Sequence, residues 1–264
     1  MSVYIFLNPQ SRLNSFRVAV YGIFYGILAM IPVLLLQIYW ATYPDMNIFR
    51  ILQGVIPSSY LFFGIFFLFA AVLEEVLKAL ALILLVQQFY KSFDQIVDGI
   101  VFGAFVALGF AFAENIYYFT YVVESYQYSM EFLAVFNLRS FGTMLSHTVF
   151  TGTFGIFYAL AYFGNFKKDT SFSFRKILQL RLTRNMFLAP FFKPKHVYRY
   201  LVLSEGIFYA FAMHWVFNML IKIRIYDVEA VYFTLPFLVF TSLWLWSNFF
   251  DETYMKVIRA KVSE

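Results

Sequence analysis

This amino-acid sequence indicates an all-α polytopic membrane protein: a bundle of about six transmembrane helices with a basic amphipathic segment on the cytoplasmic side. Of its 264 residues, 62% are hydrophobic and only 13% are charged, against about 25% charged in soluble domains. Several apolar stretches are long enough to cross a bilayer, and cations gather in one loop. A soluble fold cannot expose this much apolar surface without aggregating, so most of it must face lipid.

Six apolar stretches reach the roughly 20 helical residues that a bilayer core requires. They are residues 18–40, 59–88, 97–121, 138–164, 200–222 and 230–250. We interpret the whole chain, residues 1–264, as a single transmembrane domain. The first stretch is too long for a signal-peptide core and has no small-residue cleavage site after it, so we expect it to remain as an anchor.

The longest polar run, residues 165–199, predicts the orientation of the chain. It holds nine Lys and Arg residues against the single Asp169, and such loops stay in the cytoplasm. Threading outward from it places both termini inside. Residues 174–192 mix apolar and basic side chains, which is typical of an amphipathic helix on an anionic lipid surface. We therefore expect the lipid bilayer as a partner and no nucleic acid, since 20 Lys and Arg against 15 Asp and Glu is a small excess.

Ionisable and amide side chains interrupt the predicted spans. They are Glu74, Glu75 and Lys78 on the second span, Glu114 and Asn115 on the third, His147 on the fourth, and His214 and Asn218 on the fifth. An ionised carboxylate near the midplane costs roughly 2.5–3.5 kcal/mol on insertion scales, so such residues are rare and usually functional. Glu74 and Lys78 are one helical turn apart and can neutralise each other. Glu75 and Glu114 then have no local partner, so a purely structural role explains one pair only.

The depths of these residues agree. Counted from the outer ends of the predicted helices, His147 lies about nine residues in, His214 about eight, Glu114 about seven and Glu74 about fifteen, each residue rising about 1.5 Å. Two acids and two imidazoles on four helices therefore converge between the midplane and the outer leaflet. Scattered polar core residues would not need to agree in depth.

Small residues predict how the third helix packs. Gly99, Gly103, Ala107 and Ala111 recur every four residues just before Glu114, and such a stripe lets another helix approach the backbone closely. The acidic end of this helix should therefore face the bundle interior. Gly152 and Gly155 suggest a second close crossing.

These residue types suit amide hydrolysis by an activated water. A carboxylate can deprotonate water, and a nearby imidazole can orient it. His214 and Asn218, one turn apart, can present donors to a developing oxyanion. Because the chain has no cysteine, a thiol nucleophile is excluded.

Zinc is the main chemical alternative, with His147, His214, Glu74 and Glu114 as the ligands. The H-E-x-x-H spacing of soluble zinc proteases is missing, and so is the Glu-x-x-His repeat of di-iron bundles. The residues alone therefore require no cofactor and leave zinc open.

Four motifs in order resemble those of the PrsW family of intramembrane proteases, relatives of the CAAX prenyl endopeptidase and bacteriocin-processing superfamily. They are Glu74-Glu75-Val-Leu-Lys78, similar to the family's EExxK; the stretch from Asp98-Gly99 through Gly103 and Gly109 to Phe112-Ala-Glu114-Asn115; His147 with Thr151-Gly152; and His214 with Asn218. Together they define a motif-bearing core over residues 70–220. In CAAX-type relatives the second motif carries a histidine where this chain has Glu114.

The resemblance implies an endopeptidase of the bacterial cell (inner) membrane. The family precedent is site-1 cleavage of an anti-sigma factor, so the implied substrate is a single-span membrane protein cut on the outer side. The implied general base is Glu74 or Glu75, with Glu74 favoured and Glu75, Lys78 and Asn115 supporting. His147 would orient the water in place of the relatives' histidine, and His214 with Asn218 would hold the oxyanion. The family is often labelled metalloprotease, which keeps zinc open.

Two other functions use the same residues. Buried acids also serve as a proton or cation relay in transporters and channels, which predicts charge movement and no cleavage. A non-catalytic membrane scaffold is the third alternative, although a dead site would be expected to have lost at least one of these groups.

Overall fold

The computed structural model describes residues 9–126, 130–163 and 194–224, together with residue 240, and these ranges contain helices and no strand. The helices are α1 (Pro9–Thr42), α2 (Ile48–Val55), α3 (Ser59–Gln88), α4 (Ile96–Tyr126), α5 (Met130–Asn137), α6 (Met144–Phe163) and α7 (Pro194–Arg224). The predicted all-α class is confirmed.

Four helices in this part of the chain are long and apolar enough to cross a membrane. The segments are Ser15–Thr42, Ile96–Thr120, Val135–Phe163 and Arg199–Lys222. Helix α3 has 30 residues and so extends about 45 Å at about 1.5 Å per residue, which is also enough to span. The predicted span 230–250 and the predicted amphipathic helix 174–192 lie outside the described residues.

The predicted spans 138–164 and 200–222 match the apolar segments Val135–Phe163 and Arg199–Lys222 closely, but the helices extend further. The helical path of the fourth span begins at Met130 and continues through a π-helical turn, Leu138–Thr143, into α6. Likewise α7 begins at Pro194, before its apolar segment. Hydropathy finds only the apolar part of a helix, whereas backbone hydrogen bonding continues through polar residues. Proline is also tolerated in the first turn, where its missing N–H has no helical partner.

Helix α4 packs between α1 and α6, and glycines set both crossings. A Cβ atom on Gly99 would collide with the Gly155 carbonyl of α6, and the reverse also holds. On the α1 side, Gly26 and Gly109 meet backbone atoms of the facing helix in the same way. The close approach predicted from the small-residue stripe is therefore confirmed, and it brings the polar end of α4 against α6.

Helices α3 and α7 complete the enclosure of the site. Helix α7 packs against α6, where a Cβ atom on Gly206 would collide with the Phe157 side chain, and also against α3. Trp215 Nε1 donates a hydrogen bond to the Gly64 carbonyl at 2.9 Å. On α3, Ser58 caps the N-terminus by accepting from the Leu61 N–H at 3.3 Å. The Trp215 hydrogen bond therefore joins α7 to α3, and the Ser58 cap stabilises the start of α3.

Candidate active site

Helix α3 carries three ionisable side chains on consecutive turns, all directed into the bundle. Lys78 is 0% exposed, Glu75 1% and Glu74 8%. Burial of a charge is costly unless the charge is paired and hydrogen-bonded. The surrounding helices must therefore supply partners to all three.

Glu75 accepts three hydrogen bonds. Its Oε1 accepts from Lys78 Nζ at 2.8 Å and from His214 Nδ1 at 2.9 Å. Its Oε2 accepts from the Thr151 hydroxyl at 3.2 Å. Glu75 thus links α3 to α6 and α7 through two of its three donors, Thr151 and His214, and both of its oxygens are engaged.

The expected ion pair of Glu74 with Lys78 is confirmed, but Lys78 also pairs with Glu75 and lies closer to it. Lys78 Nζ lies 3.6 Å from Glu74 Oε2 but 2.8 Å from Glu75 Oε1, which is a direct hydrogen bond. The expectation that Glu75 lacked a local partner was wrong, because residues three apart share a helix face as residues four apart do.

Glu74 differs from Glu75 in the hydrogen bonding of its carboxylate oxygen Oε2. Its Oε2 is buried and has no hydrogen-bond partner among the described residues. His214 Nε2 lies 3.8 Å away, beyond hydrogen-bond distance. Since Nδ1 of His214 donates to Glu75, Nε2 of the neutral ring carries a lone pair. A carboxylate oxygen and an imidazole nitrogen therefore face each other across a short distance, both free to bind.

His147 uses both ring nitrogens. Nδ1 is 2.8 Å from Lys78 Nζ, and Nε2 is 3.0 Å from Glu114 Oε2. An ammonium group only donates, so Nδ1 accepts and the Nε2–H donates to the carboxylate. The ring lies perpendicular to that of His214, with centroids 4.9 Å apart. The structure thus brings Glu74, Glu75, Lys78, Glu114 and the two imidazoles into one connected cluster.

Arg139 is a member of this cluster that sequence reasoning missed. From the π-helical turn, its Nη2 donates to Glu114 Oε1 at 2.7 Å and its Nε donates to Asn115 Oδ1 at 3.1 Å. The guanidinium carbon also lies 3.9 Å from the ring centroid of Tyr118. The rule that an ionisable residue within a span is a functional candidate would have found Arg139, since 138–164 was a predicted span.

Asn218 does not join the cluster. It lies partly exposed on α7, one turn after His214, and makes no side-chain hydrogen bond within the described part of the chain. Asn115, by contrast, donates to the Arg139 carbonyl at 3.2 Å. Asn115 therefore supports the site by holding Arg139, without contacting Glu74 or His214 among the described interactions.

The donor chemistry fits a zinc ion. Glu74, His147 and His214 each offer a ligand atom, and these atoms lie within 4.8 Å of one another. One carboxylate and two imidazoles are a common catalytic zinc set, whose ligand atoms lie about 3.4 Å apart in tetrahedral geometry. Glu74 Oε2 and His214 Nε2 are already free, whereas His147 would have to exchange one of its hydrogen bonds. Glu114, the fourth predicted ligand, is instead held by Arg139 and His147.

A helical membrane bundle that encloses carboxylates and imidazoles in one buried cluster has the architecture of an intramembrane hydrolase. Comparison with known families identifies which one. The family model described as PrsW family intramembrane metalloprotease matches residues 14–246, so the chain belongs to the PrsW family. This membership makes it an intramembrane protease. Neither the curated proteins nor the solved structures compared with the chain include a match.

Proposed function

We propose that this protein is an endopeptidase that cuts a single-span membrane protein with a water molecule activated by Glu74. The observation that carries the proposal is the unequal treatment of two adjacent carboxylates. Glu75 is bonded on both oxygens, whereas Glu74 keeps one buried oxygen without a partner. A general base needs a free lone pair within reach of water, and Glu74 Oε2, which accepts no hydrogen bond among the described residues, offers one.

The proposed chemistry begins with proton transfer from water to Glu74. The resulting hydroxide attacks the peptide carbonyl, and Glu74 then returns the proton to the leaving amine. Lys78, whose Nζ lies 3.6 Å from Glu74 Oε2, keeps positive charge beside the carboxylate throughout. His214 faces the same space; with a second proton taken up from solvent at Nε2, it would donate from Nε2 to the oxyanion while Nδ1 stays bonded to Glu75. Asn218, one turn away, is the proposed second donor.

A bound metal would change the role of Glu74, but the active site would be the same. Zinc would be held by Glu74, His147 and His214, and it would act as a Lewis acid that lowers the pKa of a bound water. In that case the free oxygen of Glu74 binds metal, and otherwise it carries the proton. Both forms require Glu74 and His214, so substitution of these residues cannot distinguish them. Chelation can, because only the metal form should lose activity.

The proposed substrate and location come from the family resemblance and the charge pattern. A single-span protein similar to an anti-sigma factor, cut on the outer side of a bacterial inner membrane, would bring its peptide bond to the depth of Glu74. The nine cations of residues 165–199 favour cytoplasmic placement of that loop and of both termini. The surrounding lipid is the other partner.

The test is co-expression of the protein with a panel of tagged single-span membrane proteins. Wild type is compared with Glu74→Gln and His214→Ala at equal membrane abundance, with Asp45→Asn as the matched control. Asp45 is also a carboxylate, but it is exposed and pairs only loosely with Arg50, at 3.8 Å. We expect cleavage in wild type and control, and a loss of at least about 100-fold in Glu74→Gln, as for removal of a general base.

Cleavage that persists in both Glu74→Gln and His214→Ala would overturn the assignment of this site. A chelator and metal analysis of the purified protein then separate the two catalytic types. Zinc that co-purifies with wild type and is lost in His214→Ala would establish the metal form. Activity that survives chelation, without bound metal, would establish the glutamic form.

A further inference from the structure

The π-helical turn between α5 and α6 makes hydrogen bonds to Glu114 and Asn115 of α4. Residues Leu138–Thr143 form this turn, and π-helical turns recur at functional sites because they change the direction of backbone groups. The Arg139 carbonyl accepts from Asn115 Nδ2 at 3.2 Å and from the Thr143 hydroxyl. The turn therefore presents the backbone and the side chain of one residue to the same helix.

The Arg139 side chain is fixed at three points. It donates to Glu114 and Asn115, and it lies over the Tyr118 ring. Its side chain is 15% exposed, so it is largely shielded from competing water. Because a guanidinium is always charged and presents its donors in a rigid fork, these contacts set the orientation of the Glu114 carboxylate.

The oriented Glu114 carboxylate in turn hydrogen-bonds the ring of His147. With Oε1 bound to Arg139, its Oε2 accepts from His147 Nε2 at 3.0 Å. An ionised carboxylate cannot donate, so the hydrogen of the neutral imidazole must be on Nε2. The lone pair is then on Nδ1, where Lys78 Nζ donates to it at 2.8 Å. Lys78 at Nδ1 and Glu114 at Nε2 thus favour the same tautomer of His147, and the contribution of Glu114 depends on its orientation.

We propose that Arg139 is a positioning residue that acts through Glu114 to fix the ring orientation of His147 and, together with Lys78, its tautomer. In the structure it hydrogen-bonds Glu114 and Asn115 and makes no contact with Glu74 or His214 among the interactions of the described residues. Its effect on the site is therefore indirect. The positioning role concerns the architecture of the site and does not depend on which substrate is cut.

The test reads the histidine tautomer directly. The full-length protein, which has three histidines, is labelled with 15N-histidine and purified in detergent, and the His147 resonances are identified with a His147→Gln variant. Wild type should show one protonated and one unprotonated ring nitrogen at His147. We expect Arg139→Gln to move both toward the averaged position of exchanging tautomers. Arg139→Lys, which keeps a cation for Glu114 but loses the rigid fork, should restore the wild-type pattern only in part.

Two controls separate positioning from general disruption. His214 is held by Glu75, so its resonances should stay unchanged in Arg139→Gln. Arg50→Gln, which removes an exposed arginine, should alter neither histidine. Unchanged His147 resonances in Arg139→Gln, or equal changes at both histidines, would overturn the proposal.

Epistasis tests the route through Glu114. Glu114→Ala removes the acceptor of His147 and should produce the same change as Arg139→Gln. Adding Arg139→Gln to Glu114→Ala should have no further effect at His147. An unaltered His147 in Glu114→Ala refutes the route even if Arg139→Gln cannot be purified. Because no readout involves cleavage, a failure here is distinct from a failure of the proposed protease function.

Discussion

Glu74 and Glu75 show how neighbouring residues of the same type acquire different roles. A rotation of about 100° per residue places Glu75 against Lys78, Thr151 and His214, where three donors satisfy it. The same rotation leaves Glu74 Oε2 buried without a hydrogen bond. Glu75 therefore has a structural role, whereas Glu74 has an oxygen that can bind a ligand or accept a proton.

This difference predicts unequal effects on stability. Lys78→Met removes the cation from a pair whose other member, Glu75, is 1% exposed, and breaking a buried pair costs about 3–5 kcal/mol. Glu74→Gln removes a charge that has no hydrogen bond on Oε2 and only a 3.6 Å ion pair with Lys78, which keeps Glu75, so its loss of stability should be well below that of Lys78→Met. Thermal unfolding of the purified variants in one detergent measures both effects. Equal losses in the two variants would contradict the distinction drawn between the carboxylates.

At the scale of the helix, the site depends on how closely α4 and α6 approach each other. Gly99 and Gly155 face each other with no room for a Cβ atom on either. This contact brings Glu114 of α4 within 3.0 Å of His147 of α6. A wider crossing would separate the two side chains, because neither is long enough to follow a displaced helix.

We therefore predict that Gly155→Ala is disruptive and Gly152→Ala is not. A Cβ on Gly155 would collide with the Gly99 backbone, whereas a Cβ on Gly152 would meet its nearest neighbour, an Ile100 side-chain carbon, at an ordinary 3.6 Å. Overpacking of this kind costs typically about 1–3 kcal/mol, while alanine within a helix is favoured over glycine by about 0.5–1 kcal/mol. Melting temperature in detergent should fall for Gly155→Ala and remain or rise for Gly152→Ala. A fall of the same size in both would mean that the crossing tolerates no methyl group anywhere.

At the scale of the whole molecule, the sequence predicts the features that hydropathy and spacing encode. The helical class, the close crossing at Gly99 and the PrsW family follow from composition and motif order, and all three are confirmed. The π-helical turn was missed because it leaves no hydropathy signal. Arg139 lies within the predicted span 138–164 and could have been singled out as an ionisable residue there, but its pairing with Glu114, 25 residues away, could not be predicted from spacing. The distinction between Glu74 and Glu75 likewise depends on donors from α6 and α7, which only tertiary structure brings together.

The orientation of the molecule in the membrane is the remaining prediction, and the chain is well suited to test it. Because it contains no cysteine, a single introduced cysteine reports one position without background. Asp45→Cys should react with a membrane-impermeant maleimide in intact cells, since Asp45 is exposed and lies on the predicted outer side. Lys91→Cys and Ser171→Cys should react only after permeabilisation, because the positive-inside rule places both in the cytoplasm. Labelling of Ser171→Cys in intact cells, with Asp45→Cys protected, would reverse the topology and place the site toward the cytoplasmic leaflet. In that case the proposed cleavage on the outer side would be wrong, while the chemistry proposed for Glu74 would be unaffected.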